Sequence, residues 1–168
     1  MKTATLMTDG ARPAVRLERQ LSDPPSVVWQ ALTDREQLRS WFPCDVLVAG
    51  GTWEVGRTIT FPFPADMDIT LTGEVLEVDA PTTLAFTWGE EVLRLELSPL
   101  GDGTRLVLID ELPTGAAARN SAGWEACLDR LAGREPAPDS WRSHFDAYAA
   151  AYEPTLGPQE GPPAAYQG

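Results

Sequence analysis

The chain has 168 residues, 43% hydrophobic and 23% charged, which suits one soluble globular domain able to bury a core without disulfides or metal. Its formal net charge of −12 repels phosphates and so argues against nucleic acid or an anionic membrane as partner. No stretch approaches transmembrane length and MKTATLMTDG lacks a signal peptide's apolar run, so a cytoplasmic location is expected, with Cys44 and Cys127 as buried free thiols.

Residues 1–13 carry no period and are expected to form a flexible arm. Residues 14–152 are expected to form the domain, and residues 153–168, rich in Pro, Gly and Ala, a disordered tail. Val15 to Leu21 alternates, with Val15, Leu17, Arg19 and Leu21 on one face of a first strand. A short helix follows, with Asp23 as N-cap, Pro24 at its first position and a stripe of Val28, Trp29 and Leu32. Asp34 starts a second short helix with Gln37 as its capping partner. Leu38, Trp41 and Phe42 give it helical spacing, and Pro43 ends it.

From Cys44 to Glu111 turn residues recur every eight to twelve positions, the rhythm of an antiparallel meander. Strands are expected near 45–48, 51–55, 58–61, 68–78, 82–88, 91–98 and 104–111, while the prolines of FPFPADMD keep that segment out of a central strand. Alternation puts Leu84, Phe86 and Trp88 on one face, as it does Leu93, Leu95 and Leu97, and Leu106, Leu108 and Asp110. Such one-sided strands need a cover. Asn120 to Gly133 supplies it: Trp124, Cys127, Leu128 and Leu131 form an apolar stripe, Glu125, Asp129 and Arg130 take the other sides, Asn120 or Ser121 can cap the start, and Gly133 stops the helix. Trp141, Phe145, Tyr148 and Tyr152 then repeat at helical spacing, as a separate helix or a kinked continuation, up to Pro154.

These elements, with LSDPPSVVWQALTDREQLRSWF (21–42), GGTWEVG (50–56), LAFTWG (84–89), GTRLVLIDELP (103–113) and AGWEACLDRLAG (122–133), resemble the START-like (SRPBCC) superfamily. The motifs narrow this resemblance to the branch named for the activator of the ninety-kilodalton heat-shock-protein ATPase, and the ending WRSHFDAYAAAY (141–152) resembles an actinobacterial subset of that branch. The resemblance implies an α+β helix-grip fold: a curved antiparallel sheet around a long C-terminal helix, two short helices after the first strand, and a cavity between sheet and helix. Carried over residue by residue, that cavity would be lined by Trp53, Phe86, Trp88, Leu106, Leu108 and Asp110 of the sheet and by Trp124, Cys127, Leu128 and Leu131 of the helix, with Trp41 and Phe42 near its mouth.

Six tryptophans are many for this length, and four of them, Trp41, Trp53, Trp88 and Trp124, fall on inward positions. Each reads as core, and together they read as stacking surfaces for an aromatic or polycyclic ligand. Asp110, if inward, must be paired, hydrogen-bonded or protonated, unless a bulge turns it to solvent. Arg19 either partners an acidic group inside or lies at the rim with its stem buried. The sole histidine, His144, reads as a surface or packing residue, no metal site or cofactor is expected, and carboxylates flanking turns, such as Glu90 and Glu91, read as solvated. The leading expectation is a non-enzymatic binder of a small hydrophobic ligand. The alternatives are a polyketide cyclase or aromatase using Asp110 and Arg19, a self-sacrifice resistance protein cleaved at a glycine by a bound enediyne antibiotic, and a chaperone-associated protein.

Overall fold

The computed structural model describes residues 4–161, so the outer ends of the expected arm and tail, 1–3 and 162–168, lie outside the described residues. One antiparallel sheet of eight strands carries the fold: β1 (Thr5–Met7), β2 (Ala14–Leu21), β3 (Leu47–Val48), β4 (Thr58–Pro62), β5 (Thr70–Asp79), β6 (Thr83–Trp88), β7 (Glu91–Leu100) and β8 (Gly103–Glu111). Their spatial order is β1-β2-β8-β7-β6-β5-β4-β3, a meander from β3 to β8 to which the N-terminal strands add by pairing β2 with β8. With α1 (Pro25–Thr33) and the single turn α2 (Arg35–Leu38) after β2, and the long helices α3 (Ala117–Leu131) and α4 (Ser140–Leu156) at the end, this is the helix-grip α+β fold.

Alternation predicts the inward face well. Val15, Leu17, Leu84, Phe86, Leu93, Leu95, Leu97, Leu106 and Leu108 are all buried, and α3 covers them with Trp124, Cys127 and Leu128. Ala116, Ala117, Ala118 and Ala122, also buried, give the first turns of α3 a face without bulk, which allows close approach to the sheet.

Several local expectations are corrected. Part of the presumed arm is β1, paired with β2 from Thr5↔Arg16 to Met7↔Ala14. The 51–55 strand is absent: Gly50 and Gly51 have φ of 76° and 78°, a left-handed bend that no strand accommodates. Asp68 is left-handed too, so β5 starts at Thr70. Pro24, not Asp23, occupies the N-cap of α1, and the Asp23 carbonyl instead accepts the Thr104 hydroxyl at 2.7 Å. The Asp34 cap forms as expected, its Oδ1 accepting the Gln37 N–H at 3.0 Å, but the helix lasts one turn and Trp41 and Phe42 follow in turn conformation.

Asn120 and Ser121 lie inside α3 rather than at its cap. The helix start is served from the C-terminus, where Gln159 Oε1 accepts the Ala118 N–H at 2.9 Å and the Glu160 N–H donates to the Gly115 carbonyl at 2.9 Å. Residues 157–160 are therefore a strap over α3 rather than free tail. Pro154 falls in the last turn of α4, where its missing N–H removes one bond only, and the helix ends at Gly157, φ 83°. Gly133, φ 79°, stops α3 as expected, and α4 is a separate helix packed on α3 through buried Tyr148 and Tyr152.

Candidate functional site

The structure gathers the sequence's candidate aromatics into one cluster centred on Phe42. Its ring lies 5.5 Å from Trp41, 5.7 Å from Trp88, 5.8 Å from Trp124, 6.2 Å from Phe61 and 6.3 Å from Phe86, centroid to centroid. Trp88 also meets Trp124 at 5.7 Å, and Trp53 meets Phe86 at 5.4 Å. These are contact separations for aromatic pairs, so rings occupy the centre where an open cavity was expected. Trp41 and Phe42 are buried within it rather than standing at a mouth. Cys127 and Leu128 are buried on the helix side, Leu108 on the sheet side, and Leu131 is half-buried against the cluster.

Two members were not anticipated. Phe61 stacks on Phe86 at 5.9 Å, and Phe63 stacks on Trp88 at 6.2 Å and 22°. Both come from FPFP, where the prolines mask the alternation that would place Phe61 and Phe63 on one face. Trp88 is half-buried and stands where the cluster nears the surface, under Phe63.

Polar atoms inside the cluster are few and specific. Trp41 and Trp53 donate their indole N–H groups to the carbonyls of Ala31 (2.8 Å) and Thr33 (2.9 Å). Trp124 donates to Asp110 Oδ2 at 2.9 Å. The Trp88 indole nitrogen is buried and finds no nitrogen or oxygen partner among the described residues; the Cys44 sulfur, a weak acceptor, lies beside it. Burial pushes both thiols, Cys44 and Cys127, up to about 12, so neither is a thiolate.

Asp110 does point inward and is fully buried. The Asn120 amide donates to Asp110 Oδ2 at 3.0 Å and to Glu91 Oε1 at 2.7 Å. The two remaining buried oxygens, Glu91 Oε2 and Asp110 Oδ1, receive no hydrogen bond from any other described residue, so a proton held between the two neighbouring carboxyl groups is what would satisfy them. Burial raises the affinity of both acids for that proton, and the neighbouring Glu91 charge raises Asp110 further. Glu91, expected to be solvated beside its turn, is thus an interior group.

Arg19 takes the first of its two expected roles. Its Nη2 pairs with Glu125 Oε2 at 2.7 Å, with both side chains nearly buried, and Tyr148 donates its hydroxyl to Glu125 Oε1 at 2.5 Å. Glu125 is therefore not on a solvent-facing side of α3 as its position off the apolar stripe suggested: α4 covers that side. The Tyr148 hydroxyl also accepts the Ala4 N–H at 2.9 Å, tying β1's approach to both helices. His144 is half-buried near Tyr148, ring centroids 6.4 Å apart. Among the described residues no group of three or more His, Cys, Asp or Glu could hold a metal ion, and no helix is long and apolar enough to cross a membrane.

Two hollows open at the surface away from the cluster's centre. One of about 570 Å³ lies between α1, the loop at Gly51 to Trp53 and the β5–β6 turn; the other, about 460 Å³, lies over the Arg19–Glu125 pair.

A family model described as Activator of Hsp90 ATPase homolog 1-like protein matches residues 22–134, two short helices through the end of α3. The chain belongs to this family. No curated protein matches the chain. Among solved structures it is similar to EF2215 from Enterococcus faecalis (23% identity, TM-score 0.73, covering 88% of this chain and 89% of that one). It is also similar to CalU16 from Micromonospora echinospora (23%, TM-score 0.68, 88% and 92%). A third similar structure is DynU16, a protein in the dynemicin biosynthetic locus (26%, TM-score 0.62, 71% and 46%).

Proposed function

We propose that the chain binds a small aromatic, hydrophobic ligand carrying a hydrogen-bond acceptor, between the sheet and α3, by way of the edge where Phe63 covers Trp88. The observation that carries this reading is the buried Trp88 indole N–H, which has no nitrogen or oxygen acceptor among the described residues and only the weakly accepting Cys44 sulfur beside it, set among seven other aromatic rings. An interior donor left unpaired costs about 1–3 kcal/mol, which a ligand carbonyl arriving there would recover. Burying roughly 300 Å² of ligand apolar surface adds about 7 kcal/mol before the costs of association. Phe63, on an irregular segment between β4 and β5, is the ring that must swing aside. Native mass spectrometry of the full chain with acetonaphthone tests this: a one-to-one complex supports it, and its absence at saturating ligand overturns it.

Binding without catalysis is the better reading. A cyclase needs a base and an oxyanion partner facing one another across the ligand. Asp110 shares a proton with Glu91, and Arg19 is engaged by Glu125. Arg19 pairs with Leu106 while Asp110 pairs with Val15, four residues away along the strands, or about 13 Å.

The likeness to DynU16 favours one second reading, in which the ligand is an enediyne of the dynemicin kind and the chain is consumed by cleavage at a glycine. Gly73 is within reach of the rings, since a Cβ there would lie 3.0 Å from Phe61 Cε2. Mass spectrometry after incubation with activated drug separates the two readings: chain fragments support consumption, and an intact chain at equimolar drug rules it out.

A further inference from the structure

We propose that the surface hollow between α1, the Gly51–Trp53 loop and the β5–β6 turn is a second binding site, built for a small organic cation such as an alkylated ammonium. At about 570 Å³ it has room for such a molecule, and its walls include two indole rings, Trp29 and Trp53, with Gln30, Thr33, Asp34 and Gln37 supplying polar edges.

Charge selects the ligand. Asp34 is the sole charged residue among those that line the hollow. The guanidinium groups nearby are turned elsewhere, Arg35 to Asp45 at 2.7 Å and Arg39 to Glu36 at 2.6 Å, and no ion pair of Asp34 exists among the described residues. An anion would meet this carboxylate on a chain of net charge −12, and a purely apolar ligand would strip water from it with nothing in return. A cation gains from the carboxylate and from the two electron-rich indoles in the walls.

Trp53, Thr33 and Asp34 are also held in place before any ligand arrives. The Trp53 indole N–H is tied to the Thr33 carbonyl at 2.9 Å, which fixes that ring, and the Thr33 hydroxyl bonds the Trp29 backbone carbonyl at 2.8 Å, which fixes Thr33 in turn. Asp34 is held through Oδ1 by the Gln37 N–H, which leaves Oδ2 for the ligand. Little ordering is then left to oppose binding. This site borders the aromatic cluster through Trp53 but includes neither Trp88 nor Trp124, so movement of the Trp29 signal tells the two sites apart.

The test is a titration of the full chain with choline and with its neutral carbon isostere, dimethylbutanol, followed by the indole N–H signals in proton–nitrogen NMR spectra. Choline is expected to shift Trp29 and Trp53 saturably while leaving Trp124 in place, and the neutral alcohol to bind at least roughly fivefold more weakly. Asp34→Asn keeps the helix cap, because Asn caps as well as Asp, yet removes the charge, and it is expected to weaken choline to the level of the alcohol. Equal binding of the two probes, full choline affinity in Asp34→Asn, shifts confined to Trp124, or no saturable shift would each overturn the proposal.

Discussion

Trp124 donates its indole N–H to Asp110 Oδ2 across 2.9 Å, a bond between two fully buried groups that fastens α3 to β8. Trp124→Phe keeps most of the ring and removes the donor. Asp110 then loses one of its two N–H partners, and urea unfolding should show a loss of about 1–3 kcal/mol. An unchanged midpoint would mean that the bond does not help hold the helix.

The carboxyl pair makes stability depend on pH. Asp110 and Glu91 start from ordinary values of 3.8 and 4.5 and are raised in the folded chain, chiefly by burial. Their stabilisation is therefore complete below about pH 4 and declines as pH rises through the raised values, because the unfolded chain releases protons that the folded chain retains. Surface acids oppose this at the other end: Glu18, lowered to about 2 by Arg105 and Arg16, contributes above its ordinary value of 4.5 and is lost on acidification. Asp110→Asn places an amide where the protonated acid stands. Urea midpoints across a pH series should fall less steeply on the alkaline side in the variant than in the parent, and parallel curves would refute the shared proton.

Glu125 and Arg19 form a nearly buried ion pair between α3 and β2. Glu125→Leu strands a guanidinium inside and should cost about 3–5 kcal/mol, whereas the double variant with Arg19→Met should recover much of that loss. Chemical denaturation of the two variants side by side is the check. Equal losses would show that the cost lies in packing rather than charge.

Two glycines should respond in opposite directions. A Cβ on Gly73 would sit 1.9 Å from the Thr87 carbonyl oxygen, backbone that cannot step aside, so Gly73→Ala should destabilise by about 1–3 kcal/mol. Gly123, within α3, has nothing within 4 Å of its would-be Cβ, and Gly123→Ala should stabilise by about 0.5–1 kcal/mol through helix propensity. Thermal melting of the pair decides.

Strand faces were legible because a period of two survives in sequence: Leu84 and Phe86, Leu106 and Leu108, and even Asp110 lie where alternation puts them. The interior partners of Asp110 were not legible. Asn120 looked like a cap because its type favours caps, and Glu91 looked solvated because it follows a turn; only the crossing of α3 over the start of β7 makes them neighbours. Glu125 was misjudged for a related reason, since α4 turns the outer side of α3 into a second interface that no pattern within α3 announces. The hollow expected under Trp124 follows from fold resemblance alone, and Phe42 and Phe61 fill it with rings whose convergence depends on the turn before Pro43 and on the pairing of β4.

The account's central claim is that these rings part to admit a ligand at Trp88. Titrating the full chain with acetonaphthone and following the indole N–H signals measures this directly. The predicted result is saturable, one-to-one movement of the Trp88 and Trp124 signals, with affinity lowered about tenfold in Trp88→Phe, which keeps a ring and loses the donor. Signals that stay fixed to saturation, or equal affinity in Trp88→Phe, would contradict it.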